Sequence, residues 1–489
     1  MQLRGDRLTM SRHGRPIRPW RVATYASLIL IGLLVLWLED TGRVRPLFLP
    51  TYTPTRTAGS FAEEGRTYFS AGNLEAAIGA YQQAAALEPG NGRLWAELAR
   101  IQTYSSALMT TAEERRAAMA EAREAIDRGA EAAPDDSLVF AIRALVYDWS
   151  ASAEESSQGS GRRDEFLTAA LAASARALTI APGDPLATAF KAEVDIDQQN
   201  FVLALDEAEY AAGLANPEDP YSMDIFRVYG TVLENNGQYS AAIQQYRSAA
   251  EISPNFTYLY LSIGANYRRL AGDDPLSTGR QDLINQALEY FDRAARINEQ
   301  LGIEDPTPYL AIGRTYLQQG EFFIAAINIE RALAISPANP DIYGRLGTVF
   351  FRARNYESAV VALQCAVDGC GPEVSVEILC QYVYNCDPET EEGQARAVQV
   401  PGLQLGDESL EYYYTYGSAL VYFRDTADYP NACADSDRIF RVLLSAYADD
   451  PVVAGIADEN RTLCRGEVPT PEGTGLPEIT LTPTPGQAP

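Results

Sequence analysis

Four glycines recur at a regular spacing along the middle of this chain, and that spacing constrains the fold more than any other feature. They are Gly230, Gly264, Gly313 and Gly347, and the first and last intervals between them are both 34 residues long. Aromatic residues precede each of these glycines and follow most of them. A period of 34 residues is typical of stacked helix-turn-helix units, and a globular enzyme domain has no such period. The spacing therefore predicts an all-α solenoid.

Each unit combines its glycine with a second, alanine-rich helix and a closing proline. In one unit, Ala242 and Ala249 stand at the spacing of a single helix face, and Pro254 ends the helix because proline lacks an amide donor. The unit at 306–339 repeats this arrangement. The pattern resembles the tetratricopeptide repeat. The alternative is a chance match within an alanine-rich helical bundle, which is disfavoured because at least three units match at all key positions.

The resemblance implies a right-handed superhelix of eight repeats followed by a degenerate ninth. The remaining segments differ from the repeats in composition. We expect a basic cytoplasmic tail at 1–21, a transmembrane signal anchor at 22–38, a proline-containing linker at 39–57, the solenoid at 58–371, a cysteine-stapled region with the degenerate repeat and a capping helix at 372–464, and a disordered Pro/Thr-rich tail at 465–489.

The membrane prediction depends on residues 22–38, which carry no charge and follow six arginines. Such a run spans about 25 Å as a helix, which is short but sufficient for a bilayer. A cleavable signal peptide is the first alternative, but small residues are missing where cleavage would occur. A helix of a soluble core is the second. Because arginines favour the cytoplasmic side, we expect a single-pass protein of the cell membrane with an extracytoplasmic repeat domain.

Charge and histidine content exclude several functions. The net charge is −27, and residues 1–38 contribute +5, so the rest of the chain carries −32. Nucleic acid is therefore not an expected partner, because its binding requires a basic surface. The single histidine, His13, lies in the predicted tail, so histidine-dependent catalysis and metal binding are not expected outside the cell. We predict no enzyme activity, catalytic residue, cofactor or metal; carboxylate pairs in a deep cleft are the remaining catalytic alternative.

All six cysteines lie in the region predicted to be exported, where disulfides form. Zinc is the alternative, but the paired Cys-x-x-Cys spacing or histidines that it needs are missing. We expect one bridge between Cys433 and Cys464. If the helix containing Cys365 continues to Cys370, those two lie too far apart to bond. We therefore favour bridges from them to the cysteines at 380 and 386. The candidate disulfide residues are Cys365, Cys370, Cys380, Cys386, Cys433 and Cys464.

The resemblance also implies that the first helix of each repeat lines a concave binding groove. The candidate groove residues are Arg66, Arg100, Arg227, Tyr258, Arg268, Arg269, Arg314, Phe351 and Arg352. Arginines suit a peptide that carries carboxylates, although pairing with neighbouring acids is the alternative. The Lys and Asn pair that some family members use to bind chaperone C-termini is missing.

These observations favour a non-catalytic, membrane-anchored scaffold that binds a protein or peptide outside the cytoplasm. The alternative is a self-associating structural component of the cell envelope.

Overall fold

The computed structural model describes residues 18–40, 56–154, 161–273, 278–427 and 429–466. The chain divides into two units, with the boundary between Arg56 and Thr57. In the part of the first unit that is described, residues 18–40 and 56, there is one helix, α1 (Pro19–Asp40). Among the described ranges, no helix combines the length and apolar character needed to cross a membrane. The transmembrane prediction for residues 22–38 is therefore unsupported by the structure.

Three predicted segments lie largely outside the described residues. The basic tail is described only at 18–21, the linker at 39–57 lacks 41–55, and the Pro/Thr-rich tail is described only at 465 and 466.

The second unit consists of helix pairs, and each pair coincides with one predicted repeat. The pairs are α2 (Ala58–Ser70) with α3 (Leu74–Leu87), α4 (Gly92–Ser106) with α5 (Ala112–Ala132), α6 (Ser137–Glu154) with α7 (Arg162–Ile180), α8 (Pro185–Asp197) with α9 (Phe201–Leu214), α10 (Ser222–Asn235) with α11 (Tyr239–Ile252), α12 (Thr257–Asp273) with α13 (Arg280–Leu301), α14 (Thr307–Gln319) with α15 (Phe322–Ile335), and α16 (Pro340–Arg352) with α17 (Tyr356–Val367). We number these pairs as repeats one to eight. The right-handed sense of the superhelix stays a prediction.

The repeat glycines allow the two helices of a pair to approach each other. A Cβ placed on Gly264 would lie 2.5 Å from Cε1 of Phe291, which is on the second helix of the same repeat. At Gly347, a Cβ would lie 2.5 Å from Cγ of Leu363. Both distances are shorter than a van der Waals contact, so the bulky side chain occupies the space that a larger residue would need. This packing explains the period found in the sequence.

The buried side chains follow the stacked pairs along the second unit. One hydrophobic cluster extends from Ala58 to Ile312, and a second extends from Leu310 to Ala457. Each repeat thus buries its apolar face against its neighbours, as expected for a solenoid.

The region after repeat eight contains the short helices α18 (Pro372–Ile378) and α19 (Glu391–Gln394), with a π-helical turn at Leu379–Tyr384 between them. An extended segment then returns to the end of α17, where Cys370 and Val400 form an antiparallel bridge. Three further helices follow: α20 (Leu410–Val421), α21 (Ala432–Ala446) and α22 (Pro451–Cys464). The pair α20 and α21 corresponds to the degenerate ninth repeat, and α22 packs against both helices.

The structure pairs all six cysteines, and two of the three bridges differ from the predicted pairing. The bond between Cys433 and Cys464 joins α21 to α22 as expected. The other bonds join Cys365 to Cys370 and Cys380 to Cys386, so the favoured forward pairing is wrong. Its premise fails because α17 ends at Val367, which leaves the Cα atoms of Cys365 and Cys370 only 4.7 Å apart.

Candidate functional site

The inner surface of repeats two to five contains a buried network of charges. Arg100 on α4 is only 3% exposed. Its guanidinium donates to both carboxylate oxygens of Asp224 on α10, at 3.1 and 2.6 Å, and to Glu97 at 3.2 Å. Burial by itself would lower the pKa of Arg100, but Asp224 and Glu97 raise it well above its ordinary value. The charge of Arg100 is therefore satisfied within the protein.

A second buried arginine extends this network. Arg227 on α10 is fully buried and donates from both terminal nitrogens to Glu193 on α8, at 2.6 Å each. Its Nε donates to the hydroxyl of Tyr104 at 3.2 Å. The indole of Trp149 on α6 donates to the same Glu193 at 3.0 Å. The first helices of repeats two, three, four and five thus meet at one network.

Aromatic side chains occupy the space beside these charges. The ring of Phe256, just before α12, lies 5.9 Å from that of Phe69, 5.2 Å from that of Tyr104 and 5.6 Å from that of Tyr258. Tyr258 is 7% exposed. Residues from repeats one, two and six therefore pack together directly.

This packing corrects one part of the groove prediction. Arg100, Arg227 and Tyr258 were expected to face a ligand, but they are buried against other parts of the chain. The physical reason is the tight winding of the helix pairs, which brings non-adjacent repeats into contact. Among repeats one to five, the inner surface near these residues is filled.

A separate row of arginines lies on the first helices of repeats six, seven and eight. Arg268 stands four positions after its repeat glycine, Arg314 one position after, and Arg345 two positions before. From one arginine to the next, the position relative to the repeat glycine shifts by three residues, and residues three apart share a face of an α-helix. The three side chains therefore occupy one face of successive helices and shift along it in a diagonal. We call these residues the arginine row.

Arg268 reaches from α12 to α14, beside Arg314. Its Nη1 donates to the carbonyl oxygen of Ala311 and to the hydroxyl of Thr315, at 3.4 Å each. Burial lowers the pKa of Arg268, and the positive charges of Arg314 and Arg345 lower it further. Within the described part of the chain, Arg268 has no carboxylate partner.

Arg314 has even fewer interactions. It forms no hydrogen bond or ion pair with any described residue. Burial lowers its pKa first and repulsion from Arg345 lowers it further, while Glu411 partly opposes this effect. Its side chain is nevertheless only half-buried. Arg268 and Arg314 thus place two partly desolvated positive charges near each other without a neutralising carboxylate.

Arg345, which the sequence analysis missed, differs because it is paired. Its Nε donates to Asp341 at 2.8 Å, and Asp341 also accepts a hydrogen bond of 2.6 Å from Tyr412. Burial alone would lower the pKa of Arg345, but Asp341 and Tyr412 raise it above its ordinary value. The diagonal spacing relative to the repeat glycines was the sequence signal that could have identified this residue.

Two other candidate residues, which are not part of the arginine row, are paired with acids. Arg66 forms an ion pair of 2.5 Å with Glu63, and both side chains are well exposed. Arg269 pairs with Glu234, and burial followed by repulsion from Arg314 lowers its pKa.

The last two candidates lie at the end of α16. Arg352 pairs with Glu411 at 3.7 Å and remains 41% exposed. The ring of Phe351 lies 6.3 Å from that of Tyr422, which is itself exposed. This end of the helix is accessible, but Glu411 partly compensates the charge of Arg352.

The loop between α4 and α5 crosses to the C-terminal repeats. The side chain of Asn339, at the start of α16, donates to the hydroxyl of Thr110. Arg115 pairs with Glu408, which precedes α20. Repeat two therefore contacts the N-terminal end of the helix that carries Arg345.

No group of three or more His, Cys, Asp or Glu side chains has a metal-binding arrangement in the described ranges.

Comparisons with known proteins agree with this repeat architecture. A tetratricopeptide repeat model matches residues 63–103 and 310–373, and a second tetratricopeptide repeat model matches residues 228–256. A search of curated proteins found no match. The chain thus contains tetratricopeptide repeats.

Solved structures similar to this chain include two of IFIT1. One is a monomeric IFIT1 mutant with m7Gppp-AAAA, at 11% identity and a TM-score of 0.52, over 91% of this chain and 86% of that one. The other is the human IFIT1 dimer with m7Gppp-AAAA, at 13% identity and a TM-score of 0.51, over 85% of this chain and 91% of that one. At such low identity the likeness concerns the fold alone.

Proposed function

We propose that this protein is a non-catalytic scaffold that binds a protein or peptide on the inner surface of repeats six to eight. Tetratricopeptide solenoids typically bind partners on their concave surfaces. The single observation that carries the proposal is the pair Arg268 and Arg314, which lack carboxylate partners among the described residues. Polar groups that are partly removed from water without compensation indicate a functional surface more often than a structural one.

A protein partner is favoured over RNA. The similar IFIT1 structures hold capped RNA, but this chain carries a net charge of −27. Nucleic acid binding gains much of its free energy from counterion release at a basic surface. An acidic chain with one small arginine row fits a peptide better than a polynucleotide.

We also propose that residues 22–38 attach the protein to the cell membrane and that the repeats lie outside the cytoplasm. Support comes from the uncharged sequence of that segment, the six arginines before it and the three disulfides in the second unit. Alkaline phosphatase fused after residue 60 should be active, because it folds only in an oxidising compartment. An inactive fusion, with the same fusion active on a known exported segment, would contradict this topology.

The scaffold proposal is tested by affinity purification of the full-length protein from its native membranes. The wild-type chain should retain a partner in a constant ratio, and Arg268→Glu combined with Arg314→Glu should lose it. Arg296→Glu is the matched control, since Arg296 lies on the second helix of repeat six and forms an exposed ion pair with Asp292. Failure of the wild-type protein to retain any partner in a constant ratio would count against a scaffold.

Self-association is the second proposal, and exposed apolar side chains on second helices favour it. Val202 on α9 is 78% exposed, and Phe323 on α15 is 79% exposed. Such side chains can contribute to an interface between copies. Sedimentation velocity of the full-length protein in detergent should then show a mass that rises with concentration. A monomer at all concentrations would exclude this alternative.

A further inference from the structure

The buried ion pairs of this protein show how its own carboxylates neutralise inward-facing arginines. Arg100 binds Asp224, and Arg227 binds Glu193, each through two nitrogen-to-oxygen contacts. This two-point geometry is the preferred mode of an arginine–carboxylate pair. A carboxylate supplied by a ligand would in the same way neutralise an inward-facing arginine that has no ion-pair partner within the protein.

Arg268 and Arg314 are such arginines. Arg268 donates its hydrogen bonds only to neutral oxygen atoms, both at 3.4 Å, and Arg314 has no hydrogen-bond or ion-pair partner among the described residues. We propose that these two guanidinium groups bind the carboxylates of an acidic peptide. This inference rests on the proposed scaffold function and names the chemistry of its ligand.

The electrostatic surroundings agree with this assignment. Arg268 lies close enough to Arg314 and Arg345 for their charges to lower its pKa. Arg345 is already neutralised by Asp341 at 2.8 Å, so Arg268 and Arg314 are the members of the row that form no ion pair with a described carboxylate. A carboxylate that bound beside them would relieve the repulsion between the guanidinium groups. It would also replace the hydrogen bonds with water that these groups lose on burial.

Several features favour an acidic peptide over an RNA phosphate. Non-specific binding of single-stranded RNA typically uses exposed aromatic rings on which the bases stack. Arg268 contacts Ala311 and Thr315, and the Phe291 ring beneath it, at 5.5 Å, is fully buried. The site therefore suits a ligand with a few local carboxylates.

Fluorescence anisotropy of the full-length protein in detergent micelles tests the inference. One probe is a fluorescein-labelled hexaglutamate with an amidated C-terminus, and the other is hexaglutamine with a free C-terminal carboxylate. We expect saturable binding of at least one probe, weakened about tenfold by Arg268→Gln and by Arg314→Gln, because each removes a charged hydrogen-bonding group. Arg296→Gln, on the second helix of repeat six and in an exposed pair with Asp292, should bind as the wild type does. Which probe binds shows whether side-chain or terminal carboxylates are recognised.

Three results would overturn the inference. The first is no saturable binding of either probe to a wild-type protein with an intact circular dichroism spectrum. The second is an equal loss in Arg296→Gln, which would indicate general charge attraction. The third is tighter binding of a 5′-triphosphate tetra-adenylate RNA that depends on Arg268 and Arg314. If wild-type protein retains a native partner that the two glutamine variants also retain, the carboxylate site fails while the scaffold proposal stands.

Discussion

Arg100 and Asp224 are 124 positions apart in the sequence and form a two-point ion pair inside the solenoid. The hydroxyl of Tyr104 donates to the same carboxylate. This arrangement joins repeat two to repeat five, although each repeat of a solenoid normally contacts only the repeats next to it. The repeats of the N-terminal half thus support one another across the inner surface as well as along the stack.

Removal of one partner from this pair should strongly destabilise the protein. Asp224→Ala leaves Arg100 buried without its main counter-ion, which typically costs about 3–5 kcal/mol of unfolding free energy. Urea unfolding followed by circular dichroism measures the change. Glu63→Ala, which breaks the exposed pair with Arg66, should have almost no effect. Equal effects of the two substitutions would contradict the structural role of the buried pair.

The repeat glycines provide a second test, because two helical glycines have opposite surroundings. Gly264→Ala places a methyl group 2.5 Å from the Phe291 ring and should cost about 1–3 kcal/mol. Gly79→Ala, on α3, has no neighbouring atom within 4 Å of the new Cβ and should gain up to about 1 kcal/mol from helix propensity. Thermal melting of the two variants separates these outcomes. A stable Gly264→Ala protein would contradict the packing role of this glycine.

Glu330 on α15 should make stability depend on pH. Burial raises the pKa of Glu330 from its ordinary value of 4.5 to about 6. Because the folded state holds this proton more tightly than the unfolded state, ionisation of Glu330 destabilises the fold as pH rises through 4.5 to 6, and the full penalty remains above that range. Glu330→Gln should therefore stabilise the protein at pH 7.5 and change little at pH 4. The same stabilisation at both pH values would exclude this explanation.

The disulfides should differ in their contribution to stability. Cys433 and Cys464 enclose a sequence separation of 31, whereas Cys365 and Cys370 enclose 5. The chain-entropy model assigns about 3–4 kcal/mol to the longer loop and about 2 kcal/mol to the shorter one. Paired Cys→Ser variants compared by thermal melting should follow that order. Mass spectrometry of the non-reduced protein checks the pairing, and a peptide linking Cys365 to Cys380 would contradict the structure.

The sequence predicted the helix pairs well because their signals are local. Glycine, alanine and aromatic residues recur at helical spacing within each repeat, and the packing of Gly264 on Phe291 is the physical basis of that pattern. The pairing of Cys433 with Cys464 was also predictable, because Cys433 lies at the start of α21 and Cys464 at the end of the next helix, α22.

The contacts that define the candidate site were harder to predict. The burial of Arg100 depends on superhelical winding accumulated over three repeats, which no local spacing encodes. The short disulfides depend on chain reversals such as Gly369, whose φ is 78°. Arg268 and Arg314 were identified as candidate groove residues, but only their neighbours reveal that they differ from the paired arginines.

Site-specific photo-crosslinking in the native host tests the central claim most directly. p-Benzoylphenylalanine is placed at Gln318, an exposed residue one helical turn after Arg314, or at the exposed Phe323 on the second helix of the same repeat. If repeats six to eight bind a partner on the arginine row, ultraviolet light should yield a discrete crosslinked protein from position 318 and not from position 323. No crosslink from position 318, or the same species from both positions, would contradict the account.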